Sequence, residues 1–392
     1  MTKQAATDLI HHAYQPPAGF SAPQPAVHKA STIIFPSVAA LRSRDWKHKT
    51  GYTYGLHGTP TTFLLEERLA TLEHGLQCLV VPSGLAAITL VDAALLSAGD
   101  EVLLPDNAYG PSRALAEGEL ARWGITHQRY DAMDPADLAR RIGPATRLVW
   151  LEVPGSVTME FPPLQALVDA CRARGVTTAL DNTWGAGLAF DGFAPGIDIV
   201  VQALTKYPSG GGDVLMGSVV TRDEALHVKL KMTHMRMGWG VGGNDAELLL
   251  RSLPSVALRY RAHDAAAREL ARWLQGRPEI AQVLHPALEG SPGHEHWQAL
   301  CGADGLTAGL FSVVFQERYA PAQVDAFCDA LRLFKLGYSW GGPVSLVVPY
   351  DVASMRRPGT WPHRGTLVRF SIGLEEPQAL QTDLLQALES IG

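Results

Sequence analysis

Between residues 77 and 203 one pattern repeats: a short apolar run, then a stretch with helical spacing, then another run. Gln77–Val81, Glu101–Leu104, Thr126–Tyr130, Arg147–Glu152, Thr177–Leu180 and Ile197–Ala203 read as strands. Phe63–His74, Ser83–Ser97, Ser112–Trp123 and Pro163–Arg174, with leucines and alanines three or four apart, read as helices. Strands and helices in alternation need crossover connections, and crossovers place the strands side by side and parallel. The pattern therefore predicts an α/β fold with a mostly parallel sheet covered by helices on both faces.

The flanks read differently. The first 58 or so residues carry Pro16, Pro17, Pro23, Pro25 and Pro36, and no helical period lasts. We expect an irregular arm over 1–58 that contacts a neighbouring subunit, because it ends in the aromatic, glycine-rich run Thr50-Gly-Tyr-Thr-Tyr54-Gly-Leu-His-Gly58. Residues 59–245 would form the large domain. From Ala246 to Leu274 a long helical stretch, interrupted at Pro254, leads into a smaller α+β domain over 246–392. There Phe311–Phe315, Phe334–Leu336 and Val368–Ile372 read as strands, and Ala322–Leu331 and Gln378–Ser390 as helices.

Bulk properties exclude several classes of function. A chain of 392 residues is long enough for two or three domains. The net charge of −6 argues against a nucleic-acid partner. No apolar run approaches the length needed to cross a membrane, and the polar start with Asp8, His11 and His12 lacks the apolar core of a secretory signal. Cys78, Cys171, Cys301 and Cys328 are far apart and form no CxxC pair, so we expect reduced thiols, a cytoplasmic setting and no zinc site. His294 and His296 look like a metal pair, but no third ligand stands near them, and they read as surface or helix-start residues. Met232, Met235 and Met237 read as core or active-site wall.

Chemistry concentrates at the ends of the predicted strands. Lys206 follows the apolar run 198–204 and precedes the turn Ser209-Gly-Gly-Gly212. That location is the mouth of a cleft, where open α/β sheets bind ligands, and burial there would lower the amine's pKa and make it a nucleophile. The run Val176-Thr-Thr-Ala-Leu-Asp181 ends in an acid in the same way. A lysine for the aldehyde and an acid for the ring nitrogen are what pyridoxal phosphate requires. Val80-Val-Pro-Ser83-Gly84-Leu85 reads as strand, turn and helix start, whose free N–H groups suit a phosphate. Tyr109 lies in a turn after a strand and could stack on a flat ring. Singly, each has a plainer reading: Ser83 as a helix cap, Asp181 as a turn cap, Tyr109 as packing.

In this order on successive strand ends, the residues resemble those of the fold-type I pyridoxal phosphate enzymes of cysteine and methionine metabolism. Within that family the chain looks most like the bacterial cystathionine β-lyase group. Leu180-Asp-Asn-Thr-Trp-Gly-Ala-Gly187, Gln202-Ala-Leu-Thr-Lys-Tyr207, Tyr338-Ser-Trp-Gly-Gly342, Thr366-Leu-Val-Arg369-Phe-Ser-Ile-Gly-Leu-Glu375 and Leu151-Glu-Val-Pro-Gly-Ser-Val-Thr-Met-Glu160 carry the likeness. The resemblance implies a pyridoxal 5'-phosphate cofactor joined to Lys206, Asp181 on the pyridine nitrogen and Tyr109 stacked on the ring. The phosphate would be held by the N–H groups of Gly84 and Leu85, the Thr205 hydroxyl and Tyr54 of a neighbouring subunit. Arg369, helped by Ser339, Trp340 and Tyr109, would take the substrate carboxylate. An arginine within Leu367-Val-Arg-Phe is poorly placed for a surface ion pair, which supports that role. The implied activity is α,β-elimination of L-cystathionine to homocysteine, pyruvate and ammonia, in methionine biosynthesis, by a dimer of dimers. Lys206 and Tyr109 are the catalytic residues expected: Lys206 would remove the Cα proton, and Lys206 or Tyr109 would protonate the departing thiolate.

One position departs from the family pattern. Where relatives carry Tyr-x-Arg, this chain has Tyr54-Gly-Leu56. A leucine cannot pair with phosphate or a distal carboxylate. His57 beside it, if protonated, would compensate. Leu56 keeps γ-elimination, γ-replacement and β-elimination of cystine or other thioethers in view. A pyridoxal phosphate-binding protein without catalysis is the alternative from another class, disfavoured because Lys206, Asp181, Tyr109 and Arg369 are all present.

Overall fold

The computed structural model describes residues 3–11, 17–302, 304–357 and 359–391. The predicted strand–helix alternation is there. Strands β1 (Gln77–Val81), β2 (Glu101–Pro105), β3 (Thr126–Tyr130), β4 (Thr146–Glu152), β5 (Thr177–Asp181), β6 (Ile199–Ala203) and β7 (Gly217–Thr221) form one sheet in the order β1-β7-β6-β5-β4-β2-β3. β7 runs antiparallel to β1 and β6, and every other pairing is parallel. Alternation along the strands supplies both faces: Cys78 and Val80 join one apolar cluster, Leu79 and Val81 the other. The fold is the α/β class expected.

A second sheet follows, built from β8 (Ile280–Leu284), β9 (Leu310–Phe315), β10 (Lys335–Leu336), β11 (Leu346–Tyr350) and β12 (Leu367–Ser371) in the order β10-β11-β12-β9-β8. It has its own apolar cluster, including Phe311, Phe315, Phe327 and Phe370. The expected long helix is Gly243–Ser252, a 3-10 turn at Leu253–Ser255, and Val256–Gln275. Val256 and Tyr260 pack in the large sheet's cluster, Ala267 and Leu270 in the small one's, so this helix joins the two cores.

Several elements differ from the sequence reading. The arm is not wholly irregular: it contains the helices Lys3–Ile10 and Val38–Arg42. Leu9 explains the first, because it is buried in the main cluster and a single deep anchor leaves no period to read. Residues 1, 2 and 12–16 of the arm lie outside the described residues. The helix expected over 112–123 is an α-helix at Gly110–Leu115 that widens into a π-turn at Ala116–Leu120. Met232, Met235 and Met237 lie on an unforeseen helix, Glu224–Met237, and none of them lines the site described below. His294 does begin a helix, His294–Cys301. The four cysteines are free thiols, no metal-ligating cluster occurs among the described residues, and no described helix is long and apolar enough to cross a membrane.

Candidate active site

The carboxyl ends of β1, β2, β4, β5 and β6 open on one side of the sheet. The segments that follow them wall a cavity of about 580 Å3, completed by the small sheet. Gly84 and Leu85 come from the end of β1, Tyr109 from that of β2, Glu152 from β4, Asp181 from β5, and Thr205 and Lys206 from β6. Ser339, Trp340 and Arg369 reach in from the small sheet.

Lys206 sits in the turn after β6. Its Nζ donates to Ser339 Oγ at 2.8 Å and lies 5.3 Å from the centre of the Trp340 ring. Burial, and then the nearby Arg369 charge, bring its pKa down to about 8, with Asp181 opposing. Ser339 holds a left-handed backbone, φ 98°, which is strained for a residue with a side chain. The loop it belongs to lies tight on the Lys206 turn: a Cβ on Gly341 would stand 2.9 Å from the backbone nitrogen of Tyr207. The strain at Ser339 therefore places a hydroxyl on the lysine amine.

Asp181 closes β5, opposite Glu152 of β4 in the strand register. Thr183 folds back on it, donating its backbone N–H at 3.0 Å and its hydroxyl at 2.5 Å. The same hydroxyl accepts from Ala203 N at 2.9 Å, tying the ends of β5 and β6 together. Burial raises the Asp181 pKa, while Thr183 and Lys206 favour its anion. Glu152 is pushed up further by burial and by Asp181 itself, so the proton of this pair belongs on Glu152. Glu152 accepts the backbone N–H of Tyr109 at 2.8 Å and fixes the loop that carries the ring. The Tyr109 phenol is raised by burial, Asp181 and Glu152, and stays protonated.

Ser83 caps the helix Gly84–Leu95 by accepting from Ala86 N at 3.0 Å. Gly84 is dictated by contact, since a Cβ there would lie 2.5 Å from the Cβ of Ala203. The helix start is thereby pressed against the end of β6, with the Gly84 and Leu85 N–H groups at the cavity. The Thr205 hydroxyl makes only long contacts, to Met216 N at 3.4 Å and Met216 O at 3.5 Å. A Gly84→Ala substitution should force these elements apart and weaken cofactor retention about tenfold, taking roughly 1–3 kcal/mol for overpacking. Dialysis followed by measurement of bound cofactor checks it.

Arg369 is buried in the middle of β12, between Ser312 of β9 and Val348 of β11. Its Nη2 donates to Ser339 O at 3.4 Å, Tyr350 lies against it, and its Nε has no partner. Among the described residues no carboxylate forms an ion pair with it, and the Tyr350 side chain is its hydrogen-bonded neighbour. A buried guanidinium in that state is costly and suits an incoming carboxylate.

One predicted site residue lies elsewhere. Tyr54 is 46% exposed, contacts the ring of His57 and does not line the cavity of its own chain. Leu56 packs over Gly240. The compensating charge expected on His57 is absent: burial and the adjacent Lys231 and Arg44 lower its pKa, so it is neutral near pH 7. Glu152 and Thr183 were not foreseen as site residues. The available signal was that β4, like β5, ends an apolar run in an acid.

The cavity thus offers an uncharged-capable amine, a buried carboxylate, free N–H groups at a helix start and an unpaired guanidinium. This donor set fits pyridoxal phosphate and an amino acid together.

Residues 6–389 match the family described as Cys/Met metabolism PLP-dependent enzyme. A cystathionine beta-lyase of Bordetella avium is 39% identical over 366 residues, covering 92% of this chain and 90% of that protein. A cystathionine beta-lyase of Escherichia coli K12 is 34% identical, covering 97% of each. A solved cystathionine gamma synthase of Xanthomonas oryzae pv. oryzae, in complex with aminoacrylate and cysteine, has a TM-score of 0.88 and 30% identity, covering 99% of this chain and 98% of that one.

Proposed function

Because the chain belongs to the Cys/Met metabolism PLP-dependent enzymes, we propose that it is a carbon–sulfur lyase acting by α,β-elimination on a cysteine thioether, with L-cystathionine, named in its relatives, as the reference substrate. One observation carries this reading: a lysine amine whose pKa is about 8 and an unpaired buried arginine face the same cavity.

Lys206 would hold the cofactor through its amine, Asp181 would pair with the ring nitrogen, and Tyr109 would cover the ring. Gly84, Leu85 and Thr205 would bind the phosphate. The bound cofactor supplies an electron sink for the carbon from which a proton is removed. Arg369 orients the substrate by its α-carboxylate. The Lys206 amine, steered by Ser339, takes the Cα proton and returns it to sulfur as the Cβ–S bond breaks. Trp340 shields that amine from water. Aminoacrylate leaves and hydrolyses to pyruvate and ammonia.

Tyr54, exposed and remote from its own cavity, supports a homodimer in which this residue serves a second copy's phosphate. A dimer of dimers extends that symmetry. We place the enzyme in the cytoplasm and in methionine biosynthesis.

The structural likeness to a gamma synthase supports a second reading, reaction at Cγ, which needs a further proton removed from Cβ. Product analysis with L-cystathionine separates the two. Pyruvate and homocysteine are expected; 2-oxobutyrate and cysteine would establish the γ-reaction instead.

A further inference from the structure

The part of the cavity that must hold the substrate's sulfur substituent has a composition of its own. Its most exposed lining residues are Leu215, 71% exposed, and Tyr338, 77% exposed, which mark the mouth, and Met355 lines the same cavity. Deeper in, Val157 and Met159 add apolar wall. Among the described residues the only cations lining the cavity are Lys206 and Arg369, both taken by the proposed chemistry and by the α-carboxylate.

Cations do stand near this mouth, Arg113 on the backbone of Met355 itself, and each is already engaged with a protein partner. Arg113 donates to Met355 O at 2.8 Å and pairs with Glu117 at 3.7 Å. Arg356 is bound to Glu160 and Thr158. Arg357 pairs with Asp106 at 3.6 Å, and also faces Asp131 and Asp137. The segment proposed to arrive from a second copy adds Tyr54, Leu56 and a His57 held neutral. A substituent ending in an ammonium and a carboxylate, as in cystathionine, would find mostly apolar surface and only cations already bound to protein partners there. A hydrocarbon substituent would bury apolar area against the same surface.

From this wall, and resting on the β-elimination reading, we infer that the preferred substrates are S-alkyl-L-cysteines with an uncharged apolar substituent. The reaction is R–S–CH2–CH(NH3+)–COO− plus water giving R–SH, pyruvate and ammonium. The Cβ–S bond breaks, sulfur keeps the bonding electron pair and takes up the proton, and no oxidant or reductant is needed.

The test uses purified holoenzyme with S-methyl-, S-ethyl- and S-propyl-L-cysteine and with L-cystathionine, reading kcat/KM from pyruvate. Each added methylene should raise kcat/KM about three- to fourfold, and the S-propyl compound should exceed cystathionine about tenfold. Pyruvate from all four with cystathionine equal or better overturns this inference and leaves the elimination reading intact. Pyruvate from none overturns both. A second variant probes the wall itself. Leu215→Arg, which gives the mouth a free cation, should shift the cystathionine to S-propyl-cysteine ratio about tenfold toward cystathionine, as a charge-assisted contact would. An unchanged ratio overturns the assignment of this wall to the substituent.

Discussion

Lys206→Ala lowers turnover of the purified holoenzyme by roughly 10⁴-fold, the upper end of what a positioned proton-transfer group contributes. The substitution removes the amine proposed both to anchor the cofactor and to move the proton. The Tyr109 phenol, which lines the same cavity, is raised above its ordinary value by burial and two carboxyls. Lys206→Arg should be nearly as impaired, because a guanidinium keeps the charge but is never the free base. The wild-type amine also sets a pH dependence. Its pKa is lowered from 10.5 to about 8, so the uncharged form that reacts with an aldehyde accumulates as pH rises through 8. Capture of pyridoxal phosphate by apoprotein, followed by visible absorbance, should therefore quicken between about pH 7 and 9. A rate that is flat across this window contradicts the assignment.

Arg369→Leu reduces kcat/KM by about 10²–10³-fold, mostly through KM. Losing one partner of a buried, hydrogen-bonded charge pair costs about 2–5 kcal/mol. In the proposed role the pair would form only when substrate binds, because no described carboxylate pairs with the guanidinium and its Nε has no partner. The same fact predicts what happens to stability. A leucine in the middle of β12 removes a buried charge that is balanced by no described carboxylate, so the melting temperature should hold or rise. Steady-state kinetics and a thermal melt of the same preparation check both halves. A large drop in melting temperature with KM unchanged would make Arg369 a structural residue.

What the sequence revealed, and what it hid, follows from how each residue makes its contacts. β5 and β6 were legible because an apolar run stops abruptly at Asp181 and at the Thr205–Lys206 pair, and a strand buried on both faces leaves just that mark. β7 was hidden because Gly217–Thr221 is short and follows a glycine-rich turn, so no alternation is visible. β11 contains Pro349, which argues against an interior strand. It is tolerated because β10 pairs only with Leu346 and Val347, leaving the strand unpaired on that side at Pro349. The helix Glu224–Met237 escaped because its buried face carries His227, Lys231 and His234, which blur the apolar period. His234 bonds Val80 O and Lys231 bonds His57 O, and neither partner is visible from the helix sequence.

The site shows the same division. Lys206, Asp181, Tyr109 and the Gly84 turn announce themselves as punctuation at strand ends. Glu152 does not: its importance comes from standing in register with Asp181 and holding the Tyr109 loop, contacts that span sequence separations no local pattern reports. Ser339 was named through the family resemblance, but its bond to the lysine amine rests on a backbone angle that no local pattern reports.

The most direct measurement traps the cofactor where it is attached. Borohydride reduction of the holoenzyme, proteolysis and peptide mass analysis should find one pyridoxyl label, on Lys206. A label on another lysine, or none on a protein that retains the cofactor, would contradict the account at its root.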